Sequence, residues 1–388
     1  MTHRPVPFAV RHGPPGLVGT ALVAVGALGV GWVPLTSDLL DSPVVDTLRT
    51  TLTGSLAARA MVIVGLAVLL QAWLLLGTEL HDRQRSRTEP TLAEVTGVLV
   101  FWSAPLLLAP PMFSRDVYSY YAQGRVYAAG YDPTTTGVDV IPGWFDDGAD
   151  PMWVESPTPY GPTFLLIERA VSTFAHPNAY LGALLFRLVA IVGVALLAWS
   201  VPRLAALHGV DADRALWAGV LNPLVVMHFV SGSHNDALTV GLVAFGLLLA
   251  TQRRCLWGAV AVSLAVAIKP VAIIALPFVG LLWAGREGRW MDRVRAWGLS
   301  LVVLAATAAS VFLLADAGRG VLSAAFSTPS GVLTWLSPST AIGRLLGMAT
   351  TALGWTVDEN LPLQGTRMVG LVLAIAIVGY LVLRPGGR

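Results

Sequence analysis

The sequence contains few cysteines and few charged residues, and each scarcity excludes some classes of protein. Among its 388 residues there is one cysteine, Cys255, so neither an intrachain disulfide framework nor a cysteine-rich metal site can form. Only 12% of the residues are charged, against roughly 25% in soluble domains. The formal net charge of +2 is too small to indicate a nucleic-acid partner.

Lysine is as scarce as cysteine. Of the 25 basic residues only Lys269 is a lysine, and all the others are arginine. A codon bias that favours arginine explains the excess, and it makes the one lysine more informative. The chain has no P-loop, dinucleotide-binding fingerprint, HExxH motif or nucleophile elbow. The absence of these motifs gives no support to the common soluble enzyme classes. The chain also has no internal repeat of fixed period.

Long apolar runs are abundant, and 55% of the residues are hydrophobic. A helix needs roughly 20 apolar residues to cross a bilayer. The runs predict spans near 14–34, 58–79, 93–111, 179–201, 214–230, 237–251, 255–268, 270–284, 298–315 and 367–384. We therefore predict an all-α polytopic membrane protein, with residues 1–388 forming a single transmembrane domain. The first run lacks a small-residue cleavage site, so we interpret it as a retained span.

Two further stretches, 163–174 and 336–355, are ambiguous, and the arginines help to place them. If the N-terminus is cytoplasmic and neither stretch crosses, fifteen arginines fall on one face: Arg4, Arg11, Arg83, Arg85, Arg87, Arg203, Arg214, Arg253, Arg254, Arg286, Arg289, Arg293, Arg295, Arg384 and Arg388. The opposite loops hold chiefly Arg49, Arg115, Arg125 and Arg319. The positive-inside rule then assigns the arginine-rich face to the cytoplasm.

This topology predicts that the polar segments gather on the outer face. They are a large loop over 112–178, the turn at 231–236, the turn at Lys269 and a loop over 316–336. Glu168 and Arg169 make a lipid-facing span over 163–174 unfavourable, so we predict a short interfacial or dipping helix there. The expected location is a plasma membrane, crossed many times, with the site on the extracytoplasmic side.

The outer loop opens with FSRDVYSYYAQGRVYAAGYDP, residues 113–133. Ser114 can cap a helix that begins near Arg115, and Gly130 can end it. Asp116 would then lie in the first turn, with Tyr120 and Gln123 at i+4 and i+7. This carboxylate suits a general base for a hydroxyl, beside tyrosine rings that stack on sugars. The alternative is a capping aspartate on an interfacial helix with a belt of tyrosines.

The rest of the loop is acidic and rich in proline. Asp146, Asp147 and Asp150 offer oxygen ligands for a divalent cation, although acidic side chains on an outer loop are commonly just solvated. The segment SPTPYGP, residues 156–162, presets its backbone and would hold Tyr160 firmly. Such rigidity suits a binding site and equally an ordinary turn before a helix.

Two short polar segments interrupt the later spans. In SGSHND, residues 231–236, the side chains of His234, Asn235 and Asp236 could bind sugar or phosphate, with Ser233 capping the next helix. A polar interhelical turn is the alternative. Lys269 stands at the outer interface between two apolar runs, where an ammonium could receive a lipid phosphate or simply snorkel. Arg187, about eight residues into its span, could assist it or pair with a neighbouring helix.

The segments FSRDVYSYYAQGRVYAAGYDP, SPTPYGP, SGSHNDAL and AIKP, in this order over about residues 100–285, carry a resemblance. The chain resembles the actinobacterial polyprenol-phosphomannose-dependent α-1,6-mannosyltransferases, members of the GT-C class. The resemblance implies a GT-C-type bundle of about 10–12 transmembrane helices with interfacial helices in a large first external loop. It also implies transfer of mannose, with inversion, from a β-linked polyprenyl phosphate to a lipid-linked mannan or mannoside.

The resemblance implies roles for particular residues. Asp116 matches the essential acidic residue of the first external loop and would be the catalytic base. Lys269, with Arg115 and Arg187, would contact the donor phosphate. No metal ligand is assigned, and the only cofactor considered is a divalent cation. The residues expected to contact substrate are Tyr118, Tyr120, Tyr121, Gln123, Arg125, Tyr160, His234, Asn235 and Asp236.

Other functions fit the composition less well. A transporter or lipid flippase would place polar groups near the membrane midplane, often in two similar halves, and neither feature is visible. An inactive relative that serves as an assembly partner would not need Asp116, Lys269 and the turn of His234, Asn235 and Asp236 (the HND turn) together. Within the enzyme class, a polyprenyl-phosphate donor carrying another sugar, such as arabinose or galactose, stays open.

Overall fold

All the regular secondary structure in the part of the chain that the structure describes is helical. The computed structural model describes residues 8–86, 92–316, 318, 320, 321, 323, 334–354, 358 and 360–384. No β-strand occurs among these residues, which confirms the all-α prediction. The helices are α1 (Phe8–Val30), α2 (Pro43–Thr50), α3 (Leu52–Ser86), α4 (Leu92–Ser103), α5 (Asp116–Ala128), α6 (Pro162–Ala175), α7 (Ala179–Leu207), α8 (Ala212–Gly219), α9 (Pro223–Ser231), α10 (Asp236–Thr251), α11 (Cys255–Val266), α12 (Leu276–Ala284), α13 (Trp290–Ala315), α14 (Pro338–Ala352) and α15 (Asn360–Leu383).

Helix length supports five or six membrane spans among the described residues. Helices α1, α3, α7, α13 and α15 are long and apolar enough to cross, and α8 with α9 forms a sixth candidate bent by 47°. Four predicted spans correspond instead to apolar helices of 10–17 residues. These helices are shorter than a typical span, so the predicted 10–12 crossings require local bilayer thinning or extension into flanking residues, and that number stays a prediction. The protein is nevertheless a multi-pass membrane protein.

The two ambiguous stretches both form short helices. Helix α6 covers the first with 14 residues, or about 21 Å at 1.5 Å per residue, which is less than the hydrocarbon thickness of a bilayer. The prediction of a short helix there is confirmed. Helix α14 lies within the second stretch. Most of the predicted loop 316–336 lies outside the described residues, as do the predicted cytoplasmic Arg4, Arg87 and Arg388 and the opposite-face Arg319.

Glycine allows α7 and α10 to pack closely enough to fix the start of α10. A Cβ on Gly193 of α7 would lie 2.2 Å from the carbonyl carbon of Ala237, and a Cβ on Gly241 would lie 2.5 Å from the Gly193 carbonyl oxygen. Small residues at such crossings are typical of helix pairs in membranes, where close backbone approach drives association. Asp236, the first residue of α10, is therefore held directly beside α7.

Arg187 fixes the turn that precedes α10. This side chain on α7 is only 1% exposed. Its guanidinium donates to the carbonyl oxygens of Leu107 (2.8 Å), Val230 (2.9 Å) and Ser231 (3.0 Å), and to Ser233 Oγ (3.2 Å). A buried charge is tolerated where hydrogen bonds from each of its nitrogens replace those to water. Residues 230–233, which lead into the HND turn, are thus bonded to Arg187 of α7. The same side chain links them to Leu107, in the short turn Ala104–Leu107 that follows α4.

Helix α5 is held by aromatic packing and by its crossing with α6. Its buried side chains Val117, Tyr118, Tyr120 and Tyr121 join a cluster that includes residues of α6 and α7. At the crossing, a Cβ on Gly124 would lie 2.1 Å from Ser172 Oγ. The residue must therefore be glycine for the two helices to approach. This packing turns one side of α5 toward the turn before α10.

Candidate active site

Helix α5 places Asp116 at its first residue. Ser114 Oγ accepts a hydrogen bond from the Asp116 N–H at 3.0 Å, so the predicted capping serine satisfies one of the free amides of the first turn. Gly130, just beyond the end of α5, has φ +90°, as expected for a residue that ends a helix. Tyr120 and Gln123 line the same cavity as Asp116, which confirms the predicted helical spacing.

Asp116 faces the HND turn. His234 Nδ1 lies 3.5 Å from Asp116 Oδ2. Both side chains keep partial access to solvent, at 17% for His234 and 32% for Asp116. Burial lowers the pKa of His234, against the opposite effects of the carboxylates of Asp116 and Asp236. The imidazole is therefore mainly neutral near pH 7, and it can exchange a proton with its neighbour.

Lys269 and Asp236 form an ion pair at the adjacent corner of the site. Lys269 Nζ lies 2.7 Å from Asp236 Oδ2. The ammonium also lies 5.5 Å from the centre of the Tyr160 ring, a distance at which the ring face attracts a cation. Asp236 begins α10, as predicted for a residue at a helix N-terminus, and Lys269 directly precedes a 3₁₀ turn over Pro270–Ala275. The two positions are 33 residues apart in the chain, yet they meet.

An aromatic wall joins the two charged groups. The rings of Tyr120 and Tyr160 meet edge to face with centroids 5.4 Å apart, and Tyr120 also contacts Phe164 at 5.1 Å. Burial raises the pKa of both tyrosines, and the nearby Asp116 carboxylate adds to the effect. Both hydroxyls therefore stay protonated and can serve as hydrogen-bond donors.

The Tyr160 segment is bonded to the chain just before Lys269. The Gly161 N–H donates to the Ile268 carbonyl at 2.9 Å, and the Thr163 N–H donates to the Ala267 carbonyl at 3.0 Å. A Cβ on Gly161 would lie 2.4 Å from the Ala267 carbonyl oxygen, so glycine is required at this contact. The rigid placement predicted for Tyr160 thus has a physical basis in these two hydrogen bonds.

A small cavity opens beside Asp116. Its volume is about 70 Å³, and its lining residues are Asp116, Ser119, Tyr120, Gln123, Trp153, Ser156, Pro157, Pro159 and Tyr160. This volume is below the roughly 300–1,000 Å³ that is typical of small-molecule sites. The loop that carries Trp153 and Ser156 is a part of the wall not built from α-helix.

Two buried side-chain amides point to a polar ligand. Gln123 Oε1 and both polar atoms of the Asn235 side chain are buried without a hydrogen-bond partner among the described residues. Gln123 is 5% exposed and Asn235 is 2% exposed. Buried amides without partners are costly, so such groups commonly mark a site that a ligand or water completes.

Backbone strain occurs on both sides of the Asp116–His234 contact. Phe113 has φ +69° and Ser233 has φ +56°, and neither is a glycine. Residues held in this region cost roughly 1–3 kcal/mol, and they cluster at functional sites. The prediction that Ser233 caps α10 is wrong, because its backbone is left-handed and its Oγ accepts from Arg187 instead.

Five of the predicted site residues make contacts away from the cavity and from the HND turn. The Tyr118 hydroxyl donates to the Trp32 carbonyl, and the Tyr121 hydroxyl lies 3.4 Å from His176 Nδ1. Arg115 donates to the carbonyls of Gly148 and Ala149 and lies over the Trp32 ring. Arg125 pairs with Asp147, and Arg187 is engaged as described above. The structure thus brings together Asp116, Tyr120, Gln123, Tyr160, His234, Asp236 and Lys269, with Asn235 buried in the same turn.

The three acidic residues considered for a divalent cation do not form one site. Within the described ranges, no group of three His, Cys, Asp or Glu side chains has the geometry to hold a metal ion. Asp147 pairs with Arg125 and accepts from Thr36, and Asp150 accepts from the Met152 N–H. Burial raises the pKa of Asp147, which Arg125 opposes. These carboxylates stabilise the loop by local bonds.

Several residues at the site were not predicted. Ser119 lines the cavity at i+3 from Asp116, a spacing that could have indicated it. Trp153 and Ser156 line the same cavity from an irregular loop, where no periodic signal exists. The His228 ring lies 5.9 Å from the His234 ring, and it belongs to a π-helical turn, Val226–Ser231. Such turns break the ordinary helical period and are frequent at functional sites.

The site lies in a part of the chain that matches a known protein family. Residues 14–285, which include every residue of the site, match the family model for the N-terminal domain of alpha-(1->6)-mannopyranosyltransferases. The chain is 36% identical over 364 residues to alpha-(1->6)-mannopyranosyltransferase A of Mycobacterium tuberculosis, covering 92% of this chain and 69% of the relative. It is 33% identical over 413 residues to a probable alpha-(1->6)-mannopyranosyltransferase of Mycolicibacterium smegmatis, covering 95% and 70%.

A shorter match supports the same assignment. The chain is 39% identical over 225 residues to alpha-(1->6)-mannopyranosyltransferase A of Corynebacterium glutamicum, covering 57% of this chain and 46% of the relative. The comparison with solved structures found no match. A family model that covers most of the chain and two long relatives above 30% identity lead to one conclusion: this protein belongs to the alpha-(1->6)-mannopyranosyltransferase family and is a mannosyltransferase.

Proposed function

We propose that this mannosyltransferase moves mannose from polyprenyl phosphomannose to a hydroxyl of a mannoside or lipid-linked mannan, forming an α-1,6 linkage with inversion. The observation that carries the proposal is that Tyr160 lies beside both charged groups. It lines one cavity with Asp116, and its ring centre lies 5.5 Å from Lys269 Nζ, which pairs with Asp236. A carboxylate and an ammonium so placed can act on opposite ends of one displacement.

The reaction assigned to the site is a single in-line displacement. The acceptor oxygen attacks the anomeric carbon while the bond from that carbon to the phosphate oxygen breaks. The acceptor proton passes to Asp116, and the bonding electrons leave with the polyprenyl phosphate. Inversion at a β-linked donor gives the α product and requires only one base. His234, 3.5 Å from Asp116, is placed to take the proton onward.

Lys269 is assigned to the leaving phosphate. The phosphodiester of the donor becomes a phosphomonoester, so negative charge grows on its oxygens during the reaction. A preorganised cation stabilises that charge more in the transition state than in the ground state. Asp236 holds the ammonium in place at 2.7 Å, and the Lys269 side chain is 24% exposed, so a phosphate can reach it.

The other predicted contacts divide into two groups. Tyr120, Gln123, Tyr160, His234, Asn235 and Asp236 are assigned to the sugar hydroxyls, because they lie around the cavity or in the turn beside it. Arg115 and Arg187, which were predicted to contact phosphate, would have to exchange hydrogen bonds to backbone carbonyls to do so. Tyr118, Tyr121 and Arg125 would have to leave Trp32, His176 and Asp147, so their contact with substrate stays a prediction.

We assign the site to the extracytoplasmic side of the plasma membrane. The distribution of arginines supports this orientation by the positive-inside rule. A polyprenyl-linked donor fits such a site, because its phosphate stays at headgroup level while its tail enters the bilayer. Residues 112–178 would then form an external catalytic loop within one transmembrane domain.

The proposal is tested with membranes that contain the protein, radiolabelled polyprenyl phosphomannose and octyl α-mannoside. We expect label in a disaccharide glycoside, whose linkage is then mapped by methylation analysis. Asp116→Asn should remove the product at unchanged protein level. Asp139→Asn is the matched control, since Asp139 is exposed on the same loop and lines no cavity described here. Movement of the labelled lipid across the membrane without sugar transfer would support a flippase instead.

A further inference from the structure

The structure contains a second, larger cavity at the other end of α5. Its volume is about 480 Å³, and its lining residues are Tyr127, Ala128, Gly130, Tyr131, Asp132, Thr135, Arg169, Ala315 and Asp316. Small-molecule sites usually measure about 300–1,000 Å³. The cavity therefore has the size of a ligand site, which the space beside Asp116 does not reach in this form.

Three separate parts of the fold build this cavity. The Tyr127 hydroxyl on α5 donates to the Ala315 carbonyl at the end of α13. The Arg169 guanidinium on α6 lies 4.8 Å from the centre of the Tyr127 ring. Asp132 accepts from the Gly318 N–H at 3.2 Å, which ties the segment after α5 to the segment after α13. The walls are thus fixed to one another by specific contacts.

The two cavities share one side of α5. Asp116, Tyr120, Gln123 and Tyr127 follow one another at steps of four, three and four residues, so their side chains form a row on that helix. The first three line the cavity beside the base, and the fourth lines the second cavity. Eleven residues separate the ends of the row, which is about 16 Å along the axis.

The open groups of the second cavity suit a saccharide. The Tyr131 ring is 50% exposed, so its face can stack on a sugar ring. The side chains of Arg169 and Asp316 are also exposed, and they offer donors and acceptors for hydroxyl groups. Two carboxylates, Asp132 and Asp316, stand against one guanidinium, so the cavity carries a formal charge of about −1. This charge disfavours the phosphate of the donor and favours a neutral ligand.

We infer that this second cavity is a distal subsite for the acceptor, holding a mannose unit several positions away from the hydroxyl that is extended at Asp116. The inference rests on the proposed function. It predicts that acceptors long enough to reach both cavities bind better than short ones, while the donor is unaffected.

The test compares octyl α-mannoside with the octyl glycoside of α-1,6-linked mannohexaose at saturating polyprenyl phosphomannose. Tyr131→Ala should raise the KM for the hexasaccharide about tenfold, the ratio that corresponds to one lost stacking contact. The KM values for the monosaccharide and the donor should not change. Tyr131→Phe should restore the lower value because it keeps the ring. Asp316→Asn should raise the hexasaccharide KM severalfold, whereas the exposed control Asp139→Asn should leave it unchanged.

A binding measurement separates this inference from the proposed reaction. Saturation-transfer NMR on Asp116→Asn protein, without donor, should show mannohexaose bound, and adding Tyr131→Ala should weaken that binding about tenfold. If Tyr131→Ala changes neither the hexasaccharide KM nor its binding, or changes both acceptors equally, the subsite is refuted. If the parent protein transfers mannose to no acceptor yet binds mannohexaose through Tyr131, the reaction fails and the saccharide site stands.

Discussion

The single lysine of the chain, Lys269, binds Asp236 across 2.7 Å, although the two residues belong to different helical segments. Both side chains keep access to solvent, at 24% and 45%. Pairs so exposed contribute about 0–1 kcal/mol to stability. We therefore propose that the pair contributes little to stability and that Asp236 positions the Lys269 ammonium for a ligand.

Lys269→Ala should impair use of the donor without unfolding the protein. We expect the KM for polyprenyl phosphomannose to rise at least about tenfold, since one charged contact is worth roughly 1.5–3 kcal/mol. Unfolding in detergent should occur within a few degrees of the parent temperature. Arg289→Ala is the control, because it removes another surface partner of an aspartate, Asp292, at 3.9 Å. An unchanged donor KM would favour a lysine that merely snorkels.

Asp116→Asn should lower kcat by about 10²–10⁴-fold, the usual contribution of a general base. Donor binding should persist, because Lys269 and Tyr160 are untouched. Single-turnover assays with prebound donor measure the chemical step directly. Turnover equal to that of the parent would remove Asp116 from the role of base.

His234 should make the protein less stable in acid. Its pKa in the folded state lies below the ordinary value of 6.5, so the unfolded chain binds the extra proton more readily. The stability that the neutral ring contributes is fully present above about pH 6.5 and is lost as the pH falls from there through the lower pKa of the folded state. We expect the unfolding temperature to drop less between pH 7.5 and 5.5 in His234→Gln than in the parent. Equal drops would show that His234 does not carry this effect.

Arg187→Lys tests whether this arginine is structural. Lysine keeps the charge but cannot reach the four acceptors that the guanidinium satisfies. We expect a loss of at least about 2–3 kcal/mol, since buried carbonyls lose their partners. Arg203→Lys on the same helix is the control, because among the described residues its guanidinium donates to the Trp199 carbonyl of its own helix and to no other segment. An arginine that mainly binds phosphate would give equal unfolding temperatures and a raised donor KM.

Gly193→Ala should displace α10 and lower activity. The added Cβ would lie 2.2 Å from the Ala237 carbonyl carbon, so the helices must separate, at a cost of about 1–3 kcal/mol. Gly379→Ala on α15 is the matched control, since its Cβ would meet no atom within 4 Å. We expect reduced kcat and a lower unfolding temperature for the first variant only. An active, stable Gly193→Ala protein would show that the crossing tolerates a shift.

Local signals in the sequence were sufficient for the single elements of the site. The 3.6-residue period placed Asp116, Tyr120 and Gln123 on one side of α5, and Pro270 together with the flanking apolar runs marked Lys269 as a break between helices. Residue types alone also indicated the HND turn, because three hydrogen-bonding side chains follow one another there between two apolar runs. These elements depend on neighbours in the chain, which is why they could be predicted.

The contacts between distant segments could not be predicted. No local pattern indicates that Lys269 meets Asp236, or that Arg187 would donate to backbone carbonyls and not to a phosphate. Asp147 suited a divalent cation by its residue type, but its carboxylate pairs with Arg125. Likewise, the second cavity needs the end of α13 to meet α5, which is decided by tertiary packing.

The backbone bonds from Gly161 and Thr163 to Ile268 and Ala267 have a mechanical consequence. Because these bonds join the two segments, a displacement of the chain before Lys269 is transmitted to Tyr160. Under the proposed function, occupancy of the phosphate position and the shape of the sugar cavity are therefore mechanically coupled.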